Sequence, residues 1–165
     1  MSIKSFFAIP FAKFATRSVY KWAEKPHKTQ DKVFKNLISK AKNTAFGKDH
    51  DFKNIVSYDD FKKRVKVTDY EGLRPYVDRM VAGEEDILWQ GKPLYFAKTS
   101  GTTSGAKYIP ITKESMPTHI KAARNALLFY IKEKNDASFV DGKMIFLQGS
   151  PVLQDKIGVK TGQRN

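Results

Sequence analysis

The stretch AKTSGTTSGAKYIP, Ala97–Pro110, combines a cluster of small hydroxyl residues with two glycines and a lysine. A β-rich run lies on each side of the cluster, PLYFAK at 93–98 and KYIPIT at 107–112. Two such runs joined by a glycine-containing loop are typical of a β-hairpin. Pro110 places the second run at the edge of a sheet or at a bend, because proline cannot donate to a strand ladder. The sequence therefore predicts a strand, a polar loop and a second strand.

The chemistry of this loop suits a phosphate group. Gly101 and Gly105 permit a positive φ and a close approach of the backbone to a ligand. Successive backbone N–H groups then form a concave anion site, to which the hydroxyls add donors and Lys107 adds a positive charge. The same composition also fits a flexible polar hairpin loop without a ligand, and this alternative stays open. The candidate phosphate-binding residues are Thr99, Ser100, Gly101, Thr102, Thr103, Ser104, Gly105 and Lys107.

Two familiar nucleotide motifs do not fit the loop. A Walker loop needs G-x-x-x-x-G-K-[ST] at the start of a helix. Here Gly105 follows Gly101 after too few residues, Ala106 separates it from Lys107, and a β-rich run follows. The dinucleotide fingerprint G-x-G-x-x-G is absent as well. The loop is therefore of neither the Walker nor the Rossmann type.

Helical patterns dominate the sequence before the hairpin. Apolar residues recur at helical spacing over 29–43, and Thr29 is the expected N-cap. Ser57 is expected to cap a second helix, which carries two aspartates in its first turn. The stretch 68–85 predicts two helical pieces around Pro75, ending at Gly83.

A helix and a strand are predicted after the hairpin. Thr112 is expected to cap a long helix over 113–134. The run GKMIFLQGS, Gly142–Ser150, indicates a strand buried on both faces of an α/β sheet, with its apolar part at Met144–Leu147. The predicted fold class is α/β, with a helical N-terminal half packed on a partial β-sheet. Residues 1–90 are expected to be mainly helical, and 91–165 to run strand, phosphate loop, strand, helix, strand.

The N-terminal segment has the features of neither a membrane span nor a signal peptide. Its apolar stretch over 6–12 is far shorter than the ~20 residues that a membrane span requires, and no small-residue cleavage site follows. Apolar residues recur at helical spacing with lysines between them, which predicts an amphipathic helix that is interrupted or bent at Pro10 and packs on the body of the protein. Binding to a membrane surface is the alternative. The apolar residues are Ile3, Phe6, Phe7, Phe11, Phe14 and Ala15.

Composition excludes several kinds of site. The 165 residues are 41% hydrophobic and 13% aromatic, which suits one globular domain. The absence of cysteine excludes disulfides, cysteine-based zinc sites and thiol nucleophiles, and fits a reducing, cytoplasmic location. His27, His50 and His119 lie too far apart in sequence to predict a metal site. Trp22 and Trp89 are assigned to packing.

The net charge is +13, from 30 basic and 17 acidic residues. Such a balance suits nucleic acid, anionic lipid or a negatively charged small substrate. Most of the excess consists of lysines at single positions, whereas arginine is favoured for phosphate and base recognition. No nucleic-acid partner and no integral membrane segment are therefore expected. Arg74 and Arg79, on a predicted helix, are interpreted as solvated or ion-paired.

The residues of the loop and its flanks are similar to those of a known family. TSGTTSGAK, Thr99–Lys107, resembles the phosphate-binding signature of acyl-adenylate-forming enzymes. The longer blocks resemble the N-terminal region of the GH3 family of acyl acid–amido synthetases, and its bacterial branch in particular, up to about Val159. These blocks are TQDKVFKNLISKAKNTAFGKDH, DFKKRV, LRPYVDRMVAGEEDILW, KPLYFAKTSGTTSGAKYIPIT and DGKMIFLQGSP.

The resemblance implies an ATP-dependent ligase. Such an enzyme converts a carboxylic acid and ATP to an acyl-adenylate, and the amine of an amino acid then forms an amide. ATP and Mg²⁺ are the implied cofactors, and the loop would hold the phosphates. The helix from Lys113 would line the acyl-substrate pocket, with Met116, His119 and Ala123 on one face. For His119, a helix histidine without such a role is the alternative, and no catalytic residue is assigned.

GH3 enzymes are several times longer than this chain. We therefore expect an N-terminal portion that is inactive by itself, with a strand edge left open for self-association. The alternative is a non-catalytic basic binding module that retains the loop. Whether the chain is an enzyme is left undecided by the sequence.

Overall fold

The computed structural model describes residues 3–99, 106–143, 154–156 and 159–162, the last two stretches as backbone only. The chain divides into two compact units. The first consists of Met1–Gln30 and Glu114–Leu147, and the second of Asp31–Lys113 and Gln148–Asn165.

The described elements are mostly helical before the hairpin. The α-helices are α1 Ile3–Ala23, α2 Pro26–Ala41, α3 Ala45–Asp49, α4 Tyr58–Arg64, α5 Tyr70–Val81 and α6 Met116–Lys134. Short 3₁₀ turns occur at Phe52–Asn54 and Ser138–Asp141. The strands are β1 Tyr95–Lys98, β2 Tyr108–Ile111, β3 Gln154–Lys156 and β4 Val159–Gly162.

The strands form a mixed sheet in the order β2-β1-β4-β3. The predicted hairpin is confirmed, because β1 and β2 pair antiparallel with Phe96 opposite Pro110. Within the described sheet β2 is an outer strand, which is where its proline was expected. Strand β1 also pairs in parallel with β4, and β4 pairs antiparallel with β3. The sequence did not predict β3 or β4, and the strand predicted at Met144–Leu147 lies outside the described residues.

The second unit has a core that joins helix α5 to the sheet. Val77 and Met80 of α5 are buried against Phe96 of β1, together with Ile87. This contact is the packing of helix on sheet that the sequence led us to expect. A further buried cluster of Ile38, Ala41, Phe52 and Ile55 lies in the same unit, and aromatic rings including those of Phe34, Phe46 and Phe61 surround it.

Helix α2 begins earlier than its sequence suggested. Thr29 is not the N-cap, because the helix starts at Pro26. Proline suits the first helical position, since its fixed φ is that of a helix and its missing N–H is not needed there. Thr29 lies inside the helix, and its hydroxyl donates to the backbone carbonyl of Trp22 over 3.3 Å.

Helix α5 is continuous, so the prediction of two pieces around Pro75 is wrong. Asp69 caps the helix by accepting a hydrogen bond from the N–H of Gly72. Val77 and Met80 beyond the proline and Tyr70 before it pack on the same core, which holds both halves of the helix in place. The predicted end is confirmed, because Gly83 adopts a φ of 97° just after the helix.

Helix α6 starts at Met116 rather than after Thr112. Ser115 occupies the N-cap position, and Pro117 falls in the first turn, where a missing N–H costs nothing. Because proline is favoured in the first turn, the helix starts about one turn later than a cap at Thr112 would have placed it.

Helix α1 packs through the face opposite to the predicted one. Small residues form the contact with α6, among them Ala12 at 0% exposure, beside Leu128 and Ile131. The aromatic residues Phe6, Phe7, Phe11 and Phe14 are exposed, and so is Trp22, which the sequence assigned to packing. Small side chains allow the two helix axes to approach closely, which explains why the small-residue face wins the contact. Pro10 lies inside one continuous helix.

Candidate functional site

The β1–β2 hairpin fixes both ends of the predicted phosphate loop. The register pairs Lys98 with Tyr108, and one step further the N–H of Thr99 donates to the carbonyl of Lys107 over 3.0 Å. Thr99 is exposed and Lys107 is half-buried. The two residues that flank the segment 100–106, Thr99 and Lys107, are therefore joined by a backbone hydrogen bond. Of the candidate residues, Ser100, Gly101, Thr102, Thr103, Ser104 and Gly105 lie outside the described residues.

The loop leaves the sheet at the carboxyl end of a parallel strand pair. Strand β1 runs parallel to β4, with Phe96 opposite Thr161 and Ala97 opposite Gly162. In open α/β sheets ligands bind beyond the carboxyl ends of the strands. The loop after Lys98 thus begins at the edge of the sheet where such folds place their ligands.

Tyr70 supports the outer side of the hairpin. The N–H of Tyr108 donates to the phenol oxygen of Tyr70 over 2.8 Å, and the phenol lies 3.5 Å from the carbonyl of the same residue. Tyr70 is the first residue of α5, which is itself fixed to β1 through the contact of Met80 with Phe96. The position of β2 beside the loop is therefore fixed from two sides.

Two cations lie on the ring of Tyr70. The ammonium of Lys107 lies 5.5 Å from the ring centroid, and the guanidinium of Arg74 lies 5.7 Å from it. Arg74 also forms an ion pair with Glu71, with contacts of 2.8 Å from both Nε and a terminal nitrogen. This agrees with the expectation that Arg74 is ion-paired. Arg79 pairs with Glu84 at 2.9 Å in the same way. The ammonium of Lys107 is thus held against an aromatic ring at the exit of the loop, while both arginines are paired with carboxylates.

The three candidate acyl-substrate residues lie on helix α6, in the first unit. Met116 is half-buried, while His119 and Ala123 are exposed. The spacing i, i+3, i+7 places them on one face of the helix. The same face carries Ile120, Leu127 and Tyr130, which are 62%, 45% and 49% exposed. These six residues, five of them apolar, lie on one face of the helix, which we call the apolar stripe, and this stripe borders the side from which Leu128 and Ile131 contact α1.

Sequence reasoning missed several of these residues. The sequence could not identify Tyr70, because this residue lies 38 positions before Tyr108 and only the fold brings the two together. Ile120, Leu127 and Tyr130 continue the spacing of Met116 and Ala123, so the helical period alone could have found them.

In the part of the chain that the structure describes, no group of three or more histidine, aspartate or glutamate side chains is arranged to hold a metal ion. His50 stacks on Phe46, with ring centroids 4.0 Å apart, and its Nδ1 lies 2.9 Å from the carbonyl of Phe46.

Comparison with known families gives one match that spans nearly the whole chain. A family model described as the GH3 family N-terminal domain matches residues 15–163. The matched region includes both strands of the hairpin, the loop and helix α6.

Individual relatives are plant enzymes. An indole-3-acetic acid-amido synthetase, GH3.15 of Arabidopsis thaliana, is 34% identical over 93 residues, which cover 55% of this chain and 16% of the relative. The jasmonoyl–L-amino acid synthetase JAR4 of Nicotiana attenuata is 29% identical over 105 residues, which cover 62% of this chain and 18% of the relative. The chain thus spans less than a fifth of the length of these curated relatives.

A solved structure agrees with the sequence matches. The GH3.15 acyl acid amido synthetase superposes with a TM-score of 0.70 at 25% identity. The superposition covers 81% of this chain and 24% of that one.

Proposed function

The chain belongs to the GH3 family, whose N-terminal domain it matches over residues 15–163, and we propose that it is the N-terminal portion of an ATP-dependent acyl acid amido synthetase. The family match carries this proposal. The relatives are named as an indole-3-acetic acid-amido synthetase and a jasmonoyl–L-amino acid synthetase. A carboxylic acid and an amino acid are accordingly the proposed substrates, and the cytoplasm is the proposed location.

We propose that the loop of the hairpin binds the phosphates of ATP. The N–H of Thr99 and the carbonyl of Lys107 close the loop with a backbone hydrogen bond, which holds its two ends together. Backbone N–H groups and hydroxyls of the intervening residues would donate to phosphate oxygens, and Lys107 would balance their charge. The proposed residues are Thr99, Ser100, Gly101, Thr102, Thr103, Ser104, Gly105 and Lys107.

Tyr70 acts on this site as a positioning residue. Its ring centroid lies 5.5 Å from the ammonium of Lys107, and its phenol oxygen accepts the N–H of Tyr108, so Tyr70 helps to fix the position of the lysine. Glu71 neutralises Arg74, the second cation on that ring. Among the described residues no carboxylate forms an ion pair with Lys107, which suits its ammonium to an incoming phosphate.

ATP supplies the leaving groups of the proposed reaction: the carboxylate displaces pyrophosphate, and the amine then displaces AMP. Mg²⁺ would accompany the nucleotide, since this ion prefers phosphate and water oxygens, and no protein ligand is proposed for it. The contribution of the chain is to hold and neutralise the phosphates while charge moves onto them.

For the acyl group we propose the apolar stripe of α6. Met116, His119 and Ala123 begin this stripe, and Ile120 lies between them. An exposed apolar helix face suits the hydrocarbon part of a carboxylic acid once further protein covers it. His119 could then donate a hydrogen bond to the carboxylate.

Isothermal titration of the chain with ATP and Mg²⁺ tests the phosphate loop. We expect binding that Gly101→Val abolishes, because a β-branched residue disfavours positive φ and obstructs the approach of the backbone. Lys107→Ala should weaken binding about tenfold, the effect of one lost charged contact. Lys66→Ala, at an exposed position on the chain, is the matched control and should bind normally. Binding that Gly101→Val and Lys107→Ala leave unchanged would instead support a basic binding module with an idle loop.

The activity is tested by exchange of labelled pyrophosphate into ATP in the presence of carboxylic acids. We expect no exchange from these 165 residues, because a small part of the site cannot position the reactants. A protein that carries this domain at the length of the relatives should catalyse the exchange. Failure of that longer protein with every carboxylic acid tried would contradict the proposed ligase, even if the loop binds ATP.

A further inference from the structure

We propose that helix α1 docks on an anionic lipid surface through the aromatic face of its first half. This face, which we call the aromatic face, consists of Ile3, Phe6, Phe7, Phe11 and Phe14. The inference is independent of the proposed ligase function, because neither the phosphate loop nor the stripe of α6 takes part in it.

The structure presents the aromatic face to the outside. Its five side chains are between 54% and 78% exposed. The opposite face of the same helix is fixed: Ala12 and Thr16 are buried, and the hydroxyl of Ser5 donates to a carboxylate oxygen of Asp141 over 2.6 Å. Rotation of the helix to bury the phenylalanines would break these contacts. Four aromatic rings are therefore held outward by the packing behind them.

The charges of α1 identify the kind of surface that fits. The helix contains no aspartate or glutamate, whereas Lys13, Arg17 and Lys21 are exposed along it. Aromatic and aliphatic residues accompanied by lysine and arginine are the composition of helices that lie in the headgroup region of a membrane. There the rings enter the acyl boundary and the cations meet lipid phosphates, each cation adding to the affinity.

Other occupants fit these observations less well. A second copy of the chain would bring the same cations together, at a cost in repulsion. Nucleic acid would satisfy the cations but leaves the phenylalanines in water. The GH3 match begins at residue 15, so all five residues of the aromatic face precede the region that the family domain shares.

The mode of binding follows from the helix itself. Of the helices in the described ranges, none has the length and apolar character needed to cross a membrane. The aromatic face extends from Ile3 to Phe14, about 17 Å at ~1.5 Å per residue, so this part of helix α1 would lie along the surface.

Co-sedimentation with vesicles tests the proposal on the full chain. Vesicles of phosphatidylcholine with phosphatidylglycerol are compared with vesicles of phosphatidylcholine alone, at low and at high salt. We expect at least about tenfold tighter partitioning to the anionic vesicles, and a loss of that advantage at high salt as the charges are screened. Equal binding to both vesicles, or none to either, would overturn the proposal.

Two double variants separate the apolar and the electrostatic parts. Phe7→Ser with Phe11→Ser should lower the partition coefficient at least about tenfold, since two rings no longer leave water. Lys13→Glu with Arg17→Glu should lower it on the order of tenfold or more, and only on anionic vesicles. The matched control is Lys28→Glu with Lys32→Glu, two exposed lysines of α2, which changes the net charge equally and should leave binding nearly unchanged.

Fold and oligomeric state are checked on the same samples. Circular dichroism should show the same helix content in every variant, because the changed residues are exposed; if the phenylalanine variant is unfolded, the charge variant still decides the matter. Light scattering coupled to size exclusion should give the same mass for wild type and variants. A wild-type dimer that the phenylalanine variant dissociates, together with absent vesicle binding, would assign the aromatic face to self-association and overturn the proposal.

Discussion

At the scale of single residues, Thr44 shows how one buried hydroxyl joins two helices. The side chain is fully buried and caps α3 by accepting a hydrogen bond from the N–H of Gly47 over 3.0 Å. Its hydroxyl donates to the carbonyl of Ala41, at the end of α2, over 2.7 Å. Gly47 is required beside it, because a Cβ at that position would lie 2.0 Å from the carbonyl oxygen of Ala41.

Replacement of Thr44 by valine keeps the shape and removes both hydrogen bonds. We expect a loss of about 2 kcal/mol in the free energy of unfolding, because a helix cap is lost and a buried N–H loses its acceptor. Urea denaturation followed by circular dichroism measures the change. Thr44→Ser, which keeps the hydroxyl and loses one methyl group, should cost only about 1 kcal/mol. A larger loss from Thr44→Ser than from Thr44→Val would show that the methyl group, and not the hydroxyl, stabilises the junction.

Asp60 makes the stability of the N-terminal cap of α4 depend on pH. Its carboxylate accepts hydrogen bonds from the hydroxyl of Ser57 over 2.8 Å and from the backbone N–H groups of Ser57 and Val56. The hydrogen bond from the Ser57 hydroxyl is the main cause that lowers the pKa of Asp60 below its usual value, while partial desolvation of the carboxylate acts in the opposite direction. Since the folded pKa is the lower one, the stabilisation is complete above the unfolded value of about 3.9 and disappears as pH falls through the folded pKa.

Asp60→Asn should therefore destabilise the chain at neutral pH and make no difference in strong acid. The measurement is the urea midpoint of wild type and variant from pH 7 down to pH 2. We expect the gap between the two midpoints to close as the pH falls below about 4. A gap of constant size across this range would show that the charge of Asp60 does not matter to the cap.

At the scale of elements, helix α1 shows that the most hydrophobic face of a helix need not be the buried one. Its most hydrophobic face is exposed, and the residues of α1 that pack with Leu128 and Ile131 of α6 are mainly alanines, Ala8, Ala12 and Ala15, together with Ile9. A close approach of two helices requires small side chains on at least one of them, so steric fit and not hydrophobicity selects the packed face.

Substitutions on the buried face of α1 should change the free energy of unfolding much more than substitutions on its exposed face. Ala12→Leu places a larger side chain in the contact with Leu128 and Ile131 and should cost about 1–3 kcal/mol by overpacking. Phe11→Ala, one position away on the exposed face, should change stability by no more than about 0.5 kcal/mol. Thermal unfolding of both variants under identical conditions checks the pair. A larger loss from Phe11→Ala would mean that the aromatic face is the packed one.

At the scale of the whole molecule, charge opposes compactness. The net charge of +13 rises in acid as the 17 carboxylates become neutral. Ion pairs such as Arg79 with Glu84 and Lys62 with Asp59 are lost at the same time. The folded state then holds more positive charge in the same volume, which favours expansion.

We expect the chain to unfold in acid at low salt and to recover stability when salt is added. Added salt shortens the screening length from about 10 Å at 0.1 M to about 3 Å at 1 M, which weakens the repulsion between lysines. Urea midpoints at pH 3 and pH 7, each with and without sodium chloride, measure the effect. The gain from salt should be larger at pH 3. The opposite order would show that lost ion pairs, and not repulsion, dominate acid unfolding.

Membership in the GH3 family was predictable from the sequence because its signal is local and repeated. The blocks around Thr99–Lys107 resemble the family one by one, and the family match over residues 15–163 agrees with them. The assignment of individual phosphate-binding residues from the family resemblance is not tested by the structure, because Ser100–Gly105 lie outside the described residues. Their role in phosphate binding stays a prediction, as does that of Met116, His119 and Ala123 in acyl binding.

The sequence alone determined the features that a few neighbouring residues decide. The hairpin of β1 and β2, the cap at Ser57 and the end of α5 at Gly83 all follow from short-range hydrogen bonds and backbone preferences. Only the tertiary structure decided which face of α1 is buried and whether α5 continues through Pro75. It also decided that Tyr70 would hold the N–H of Tyr108. These outcomes depend on the shape of a partner distant in sequence, and burial against that partner outweighs the local preference of the segment.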